Sequence, residues 1–561
     1  MSQNSLELKS AIRNLQSKIL VIGLDGASLD LIRPWAELGY LPTLKRLIET
    51  GVSGELESTL PPVTSPAWPS FMTGKNPGRH GVFDFIRPSA GTFDMVNASQ
   101  IDGRMLWEYL SEASLSVGVL NVPVTYPPRP VNGYLVPGLL SPDQGRTTWP
   151  AGLLVPYEAE LGPYRLTPRV AYKSGNEDAF IADLADLVET QARYALRLAG
   201  DRPADFLMVH FLAPDIAQHA LWKHQDPTHP AHCLELAARY GTAIRDVYAR
   251  LDTAIGQLVE QLAGDVTVIV MSDHGFGPLH RIANLNNLFI EAGLMALKRD
   301  PWVRLRAWAF KRGLTPMAAW KVIERLGLQD TTWRVSKKTR NKAASRLLGF
   351  EDVDWGRTLA YSMGHVGQVY LNLAGREPHG IVEPGEYEAV RERVADVLRG
   401  LRDPASGRPL VEQIIPREQA ACGPYAERGP DLQLVMDGYR TIAFPLFASD
   451  EKVLTDQIRG DSGCHRRHGV LIASGPNLAR RQDIHGARIV DLAPTILHLM
   501  GIPLPDDMDG RVLEQALSAE FRARHPVTWR PAVPSEQATS DLSSEEQTEV
   551  EDRLRALGYL G

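Results

Sequence analysis

Five short apolar runs recur along the chain, each closing on Gly, Pro or Asp. They are KILVIGLDGAS (18–28), SVGVLNVPVTYP (116–127), DFLMVHFLAPD (205–215), DVTVIVMSDHG (265–275) and HGVLIASGP (468–476). Continuous Val/Ile/Leu runs of this length mark strands buried on both faces. Between them, residues 176–199 and 235–264 place apolar side chains at helical spacing. Strand and helix alternating over long crossovers predict an α/β fold, with a mostly parallel central sheet flanked by helices. Ligands in such sheets collect beyond the carboxyl ends of the strands. The acids that close these runs would therefore share one edge.

The alternation breaks between 295 and 346. That stretch is strongly basic and carries Trp302, Trp308, Trp320 and Trp333. It reads as a helical insertion whose tryptophans pack on the sheet while its basic residues are solvated. Residues 1–294 and 347–520 are then the two parts of the α/β core, the second with small cap elements. Within it, 367–401 reads as strand, loop, helix. Residues 521–561 form a mobile Pro/Ser/Glu-rich linker and a short tail, read as an amphipathic docking helix.

Length and composition narrow the classes. A chain of 561 residues can bury a large core, and length alone suggests two or more domains. A net charge of −7 lacks the basic excess of a nucleic-acid binder, so no nucleic-acid partner is expected. Cys233, Cys422 and Cys464 are far apart and odd in number. They make neither a disulfide framework nor a CxxC metal knuckle, which fits a reducing compartment. The first apolar run, Ile19 to Leu24, is too short for a signal peptide, and no stretch approaches the ~20 apolar residues of a membrane span. The expectation is a cytoplasmic protein, with peripheral membrane contact still compatible.

Candidate chemistry sits at the ends of the runs. Asp25 follows the first and precedes Gly26; alone it is an ordinary turn acid. Asp215 and His219 are four apart after the third, and a helix there would put them on one face, roughly 5–6 Å apart at Cβ. Asp273 and His274 lie side by side where the fourth ends. GCHRRHG offers His465 and His468 before the last. Oxygen and nitrogen ligands without thiolate suit Zn²⁺ or Mn²⁺. Six are too many for one open tetrahedral ion and about right for two, the arrangement that serves phosphoryl transfer. PPVTSPAWPSFMTG supplies a nucleophile, Thr64 or Ser65, at a helix start where anions bind. As plain structure, the same residues are a helix cap.

These motifs, in this order, resemble the alkaline phosphatase superfamily and, more narrowly, the type I phosphodiesterase/nucleotide pyrophosphatase family. The resemblance rests on GLDG, TSPAWPSFMTG with NPGRHGVFDF, Asp215-xxx-His219, SDHG, the late GCHRRHGVLIASGP and DLAPTILHLMGIPLPDDMDGRVL (491–513), and spans roughly 18 to 515. It implies that Asp25, Asp273 and His274 hold one ion, which the nucleophile also faces, and that Asp215, His219 and a late His hold the other. It selects Thr64 over Ser65 as nucleophile and His465 over His468 as ligand. Family members carry an Asn three residues after the nucleophile; Ala67 stands there, so another donor must serve the phosphoryl oxygen. No Arg completes a sulfatase-type C/S-x-P-x-R after Thr64, and the membrane spans of the lipid-modifying transferases are missing.

The expected activity is two-metal phosphodiester or pyrophosphate hydrolysis through a phospho-threonine, acting on a small-molecule phosphoester. One rival uses the same site on phosphomonoesters or as a phosphomutase. Trp68, Phe71 and Phe85 could line a slot for a second ester substituent, although aromatic residues so placed are more often core. Another rival is a non-catalytic scaffold whose Trp-rich insertion meets a membrane interface or an anionic partner.

Overall fold

All five apolar runs become strands of one eight-stranded sheet. The computed structural model describes residues 18–557 apart from 90–91, 263, 316–317, 319–321, 323–346, 444–446, 448–449, 457–460 and 535–541. In chain order the strands are β1 (Lys18–Leu24), β2 (Val52–Glu57), β3 (Val117–Leu120), β4 (Gly133–Val136), β5 (Phe206–Phe211), β6 (Val266–Met271), β7 (His468–Ser474) and β8 (Gln482–Arg488). They lie in the order β8-β2-β7-β6-β1-β5-β3-β4. β7 runs antiparallel to both neighbours, and every other pairing is parallel. The reversal matters for the site. It brings the start of β7, and the chain just before it, to the carboxyl edge of the other seven strands.

Helices cover the sheet: α1 (Thr64–Thr73), α2 (Glu177–Asp201), α3 (Ala213–Gln225) and α4 (Ala243–Leu262). α2 buries Phe180, Leu184, Leu187, Val188 and Leu198, a stripe at helical spacing. The helical spacing over 235–264 is carried by two helices, Leu234–Tyr240 and α4. The break falls at Gly241, where a Cβ would lie 2.6 Å from Ala237 O.

A smaller antiparallel sheet joins Ala360–Ser362, Gln368–Leu371, Leu432–Met436 and Val411–Pro416, in that order. Helix Tyr387–Arg399 accompanies it, so 367–401 does run strand, loop, helix. Asn286 ties this sheet to the core, its Nδ2 donating to Ser362 O at 2.9 Å.

The insertion starts as α5 (Pro301–Phe310), capped by Asp300 Oδ1, which accepts from Trp302 N at 2.8 Å. Here packing departs from expectation. Val303 and Phe310, seven apart, take the inward face, leaving Trp302 and Trp308 exposed rather than packed on the sheet. Trp320 and Trp333 fall outside the described residues. The tail forms α6 (Ser544–Ala556), which docks through buried Val550 and Leu554. No described helix is long and apolar enough to cross a membrane.

Candidate active site

β1 ends at Leu24 and the chain turns at Gly26 with φ +68°. A Cβ on Gly26 would meet Phe276 Cδ2 at 2.8 Å and Asp215 Oδ1 at 3.2 Å, so both conformation and space demand glycine. Its N–H donates to Asp273 Oδ1 at 3.2 Å. β5 leads directly into α3, where Asp215 lies in the first turn and His219 one turn on, Nε2 3.6 Å from Asp215 Oδ1. After β6, Ser272 Oγ donates to Ala27 O and accepts from Val470 N, both at 2.8 Å, locking the turn that presents Asp273 and His274.

His465 arrives on a two-stranded ribbon in which Gly463–Arg466 pairs antiparallel with Gly275–Pro278. Its Nε2 lies 3.3 Å from Asp215 Oδ1 and 3.0 Å from His219 Nε2. Its ring stacks on His274 at 3.7 Å between centroids. His468 is exposed at the start of β7, whereas His465 is buried. β2 feeds the loop to α1, of which Thr64 is the first residue and Val63 the cap, with no side-chain capping bond. Thr64 Oγ1 is 3.2 Å from His274 Nε2. Ser65 Oγ is buried beside it without a hydrogen-bond partner.

Candidate ligand atoms of Asp25, Asp273 and His274 lie within 4.8 Å of one another, and so do those of Asp215, His274 and His465. His274 thus belongs to both groups. Trp68, Phe71 and Phe85 are fully buried and serve as core rather than as an open aromatic slot.

The donor set fits divalent cations. His219 Nδ1 lies 3.1 Å from Gly463 O, His274 Nδ1 3.1 Å from Gly275 O, and His465 Nδ1 3.0 Å from Pro62 O. A carbonyl only accepts, so each Nδ1 carries the proton and each Nε2 presents a lone pair inward. Two such lone pairs, on His219 and His465, face each other at 3.0 Å. Asp25 Oδ1 and Asp273 Oδ2 are buried without a hydrogen-bond donor. His274 Nε2, itself an acceptor, lies 3.5 Å from the first and 3.2 Å from the second. Acceptors crowded against acceptors in a dry site are the signature of an absent positive charge.

The electrostatics agree. Burial, then the neighbouring carboxylates Asp273 and Asp215, pushes Asp25 well above the usual range. Burial and Asp215 push Asp273 up to about 7. Burial would raise Asp215 too, but the positive charge that His219 and His465 carry when protonated outweighs it and holds Asp215 low. Burial drives His274 down to about 4, and lowers His219 and His465. The histidines stay neutral, as ligands must.

Two supporting residues escape the sequence patterns. His210 Nε2 lies 2.8 Å from Asp25 Oδ2, and Trp68 Nε1 donates to the same oxygen at 3.3 Å. The signal for His210 was a lone polar residue inside FLMVHF, opposite Gly23 in the β1–β5 register. Gly23 makes the room: a Cβ there would lie 2.6 Å from Trp68 Cη2 and 3.2 Å from His210 Cδ2.

The site is thus a set of acids and histidines gathered at one edge of a mostly parallel sheet. The family model for type I phosphodiesterase / nucleotide pyrophosphatase matches residues 19–469, and the chain belongs to that family, a metallohydrolase class. No curated protein matches the sequence. Among solved structures, it is similar to an inactive variant of murine ectonucleotide pyrophosphatase / phosphodiesterase 5 in complex with AMP. That match has 14% identity and a TM-score of 0.48, covering 90% of this chain and 100% of that one. The human counterpart gives 14% identity and 0.47 over the same shares.

Proposed function

We propose that this chain hydrolyses phosphodiesters or nucleotide pyrophosphates with two divalent ions and Thr64 as nucleophile. The observation that carries the reading is Thr64 Oγ1, 3.2 Å from His274 Nε2, at the first turn of α1 and against the carboxylate–imidazole cluster. Asp25, Asp273 and His274 would hold one ion, with Thr64 facing it. Asp215, His219 and His465 would hold the second. Zinc suits this donor set best, and manganese next. Bound there, the ions would lower the pKa of hydroxyl groups and neutralise charge on the phosphoryl oxygens.

Thr64 Oγ bonds to phosphorus as the bond from phosphorus to the leaving oxygen breaks, and the proton lost by the hydroxyl ends on the departing oxygen. Water then cleaves the phospho-threonine, restoring the Thr64 hydroxyl and releasing the phosphorylated half. The first turn of α1 directs backbone N–H groups at the phosphoryl oxygens. Ala67 brings no donor, which leaves that task to these amides and to the unpartnered Ser65 Oγ.

The test pairs metal analysis of the purified protein with a panel of aryl phosphate mono- and diesters. Diester turnover that is lost on chelation and restored by zinc or manganese is expected. Full turnover in chelator would remove the metals from the mechanism. Turnover of monoesters alone would move the assignment to a phosphomonoesterase or phosphomutase.

A further inference from the structure

α5 has two apolar faces. Val303 and Phe310 fill the inward one. On the outward face Trp302, Leu305 and Trp308 follow at three-residue steps, each turning the side chain by only ~60°, so they form a continuous stripe. They are 70%, 52% and 53% exposed. Leu314 continues the apolar surface just past the helix, at 63% exposed. A surface of this kind on a folded domain marks an interaction site.

The exposed charges that follow Asp300 along the stripe are cationic. Arg304, Lys311 and Arg312 are exposed beside it. The Arg312 guanidinium lies 3.9 Å from the centroid of the Trp308 ring. No Asp or Glu occurs from Trp302 to Ile323, and residues 298–346 contain fourteen Lys or Arg against three acids, in a chain whose net charge is −7. The helix is also held firmly. Asp300 caps it, and Arg306 pairs with the buried Asp352. Rigid tryptophans flanked by cations match the boundary between lipid headgroups and acyl chains, where indole rings settle and basic residues meet anionic heads.

We propose that the outward face of α5 docks the protein on an anionic lipid bilayer, with Trp302, Leu305 and Trp308 entering the interface and Arg304, Lys311 and Arg312 meeting the headgroups. The surface is independent of the catalytic reading and stands or falls separately from it.

The experiment is flotation of the full chain with vesicles of phosphatidylcholine alone, or of phosphatidylcholine and phosphatidylglycerol in equal parts. The protein should float with the anionic vesicles and stay behind with the neutral ones. Trp302→Ser with Trp308→Ser, and separately Lys311→Glu with Arg312→Glu, should each lower partitioning at least about tenfold. All four positions are exposed, so an unchanged melting temperature is expected and distinguishes lost docking from lost folding. Wild-type protein that stays with the buffer in both mixtures overturns the proposal. So does equal partitioning of wild type and variants. Self-association that the tryptophan substitutions abolish, without flotation, would assign the face to a second copy of the chain instead.

Discussion

His210 Nε2 lies 2.8 Å from Asp25 Oδ2, inside the sheet and away from water. Burial, against a backbone hydrogen bond to Asn121, drives the His210 pKa down to about 3, so the imidazole beside that oxygen is neutral. Trp68 Nε1 donates to the same atom. Asp25 is thereby fixed with Oδ1 turned toward His274 and Asp273. Partners of this kind orient a ligand and tune its basicity. His210→Gln should weaken divalent-ion binding about 10–100-fold while far-UV circular dichroism stays unchanged. Isothermal titration of the metal-stripped protein measures it. Equal affinity in the two proteins would show that Asp25 needs no such support.

The proposed nucleophile can be separated from its neighbour. Thr64→Ala should lower kcat at least about a thousandfold with metal content retained, because the proposed covalent step is lost while the candidate ligands remain. Thr64→Ser keeps an oxygen in place and should keep part of the activity. Ser65→Ala removes only a hydrogen-bond donor and should cost about 10²–10³ in kcat if that hydroxyl holds the phosphoryl oxygen. Near-complete loss in Ser65→Ala with a mild effect in Thr64→Ala would exchange the two roles.

Much of this arrangement can be read in the sequence because three strands announce themselves and end in the groups that matter. β1, β5 and β6 are mainly apolar runs, and Asp25, Asp215 and Asp273 follow them within four residues. β2 is less visible. VSGELE mixes polar residues and Gly54 into a short strand, since Gly54 packs where a Cβ would lie 2.2 Å from Ile484 O. Yet β2 delivers the loop to Thr64. β8, QDIHGAR, is an edge strand with an irregular register between Ile484 and Ala487, so it needs no apolar run. The reversal of β7 leaves no mark in a pattern of buried residues, because such a pattern is the same in either direction. Nor does periodicity show that His210 faces Asp25; only the register between β1 and β5 does. The outward tryptophans of α5 mislead for a related reason: an apolar count cannot tell which of two apolar faces is buried.

His80 gives the fold a dependence on acid that is distinct from the candidate metal site. Its Nε2 bonds Ser70 Oγ at 2.9 Å, and its Nδ1 accepts from Val82 N at 3.2 Å, a pattern that only the neutral ring satisfies. Burial first, and then Lys75, lowers its pKa from 6.5 to about 3. Between those values the unfolded chain binds the proton and the folded one does not. Stability from this residue is therefore complete above pH 6.5 and falls as pH drops, by up to about 1.4 kcal/mol per unit. Urea unfolding of wild type and His80→Gln from neutral pH down to pH 4 should show the wild type losing its advantage as acid is added. A difference that stays constant with pH would mean that His80 takes up a proton in the folded state.

The C-terminal helix offers a prediction about local rather than global stability. Ser543 and Glu546 close a capping box on α6, with Ser543 N donating to Glu546 Oε2 at 2.8 Å and Glu546 N to Ser543 Oγ at 3.2 Å. Val550 and Leu554, four apart, are buried. Arg553 donates to Ser141 O and to Pro142 O, and Tyr126 Oη lies 2.9 Å from Glu546 Oε1. Few elements of the core depend on this contact, so α6 can leave without unfolding the sheet. Truncating a buried Leu to Ala costs about 2–5 kcal/mol where the surroundings hold still. Here the loss is limited to the free energy of docking, since detachment is the cheaper response. Val550→Ala with Leu554→Ala should speed proteolytic cleavage between residues 531 and 543 at least about tenfold, while the main thermal transition moves by no more than a few degrees. A main transition that collapses with the tail would instead make α6 part of the cooperative core.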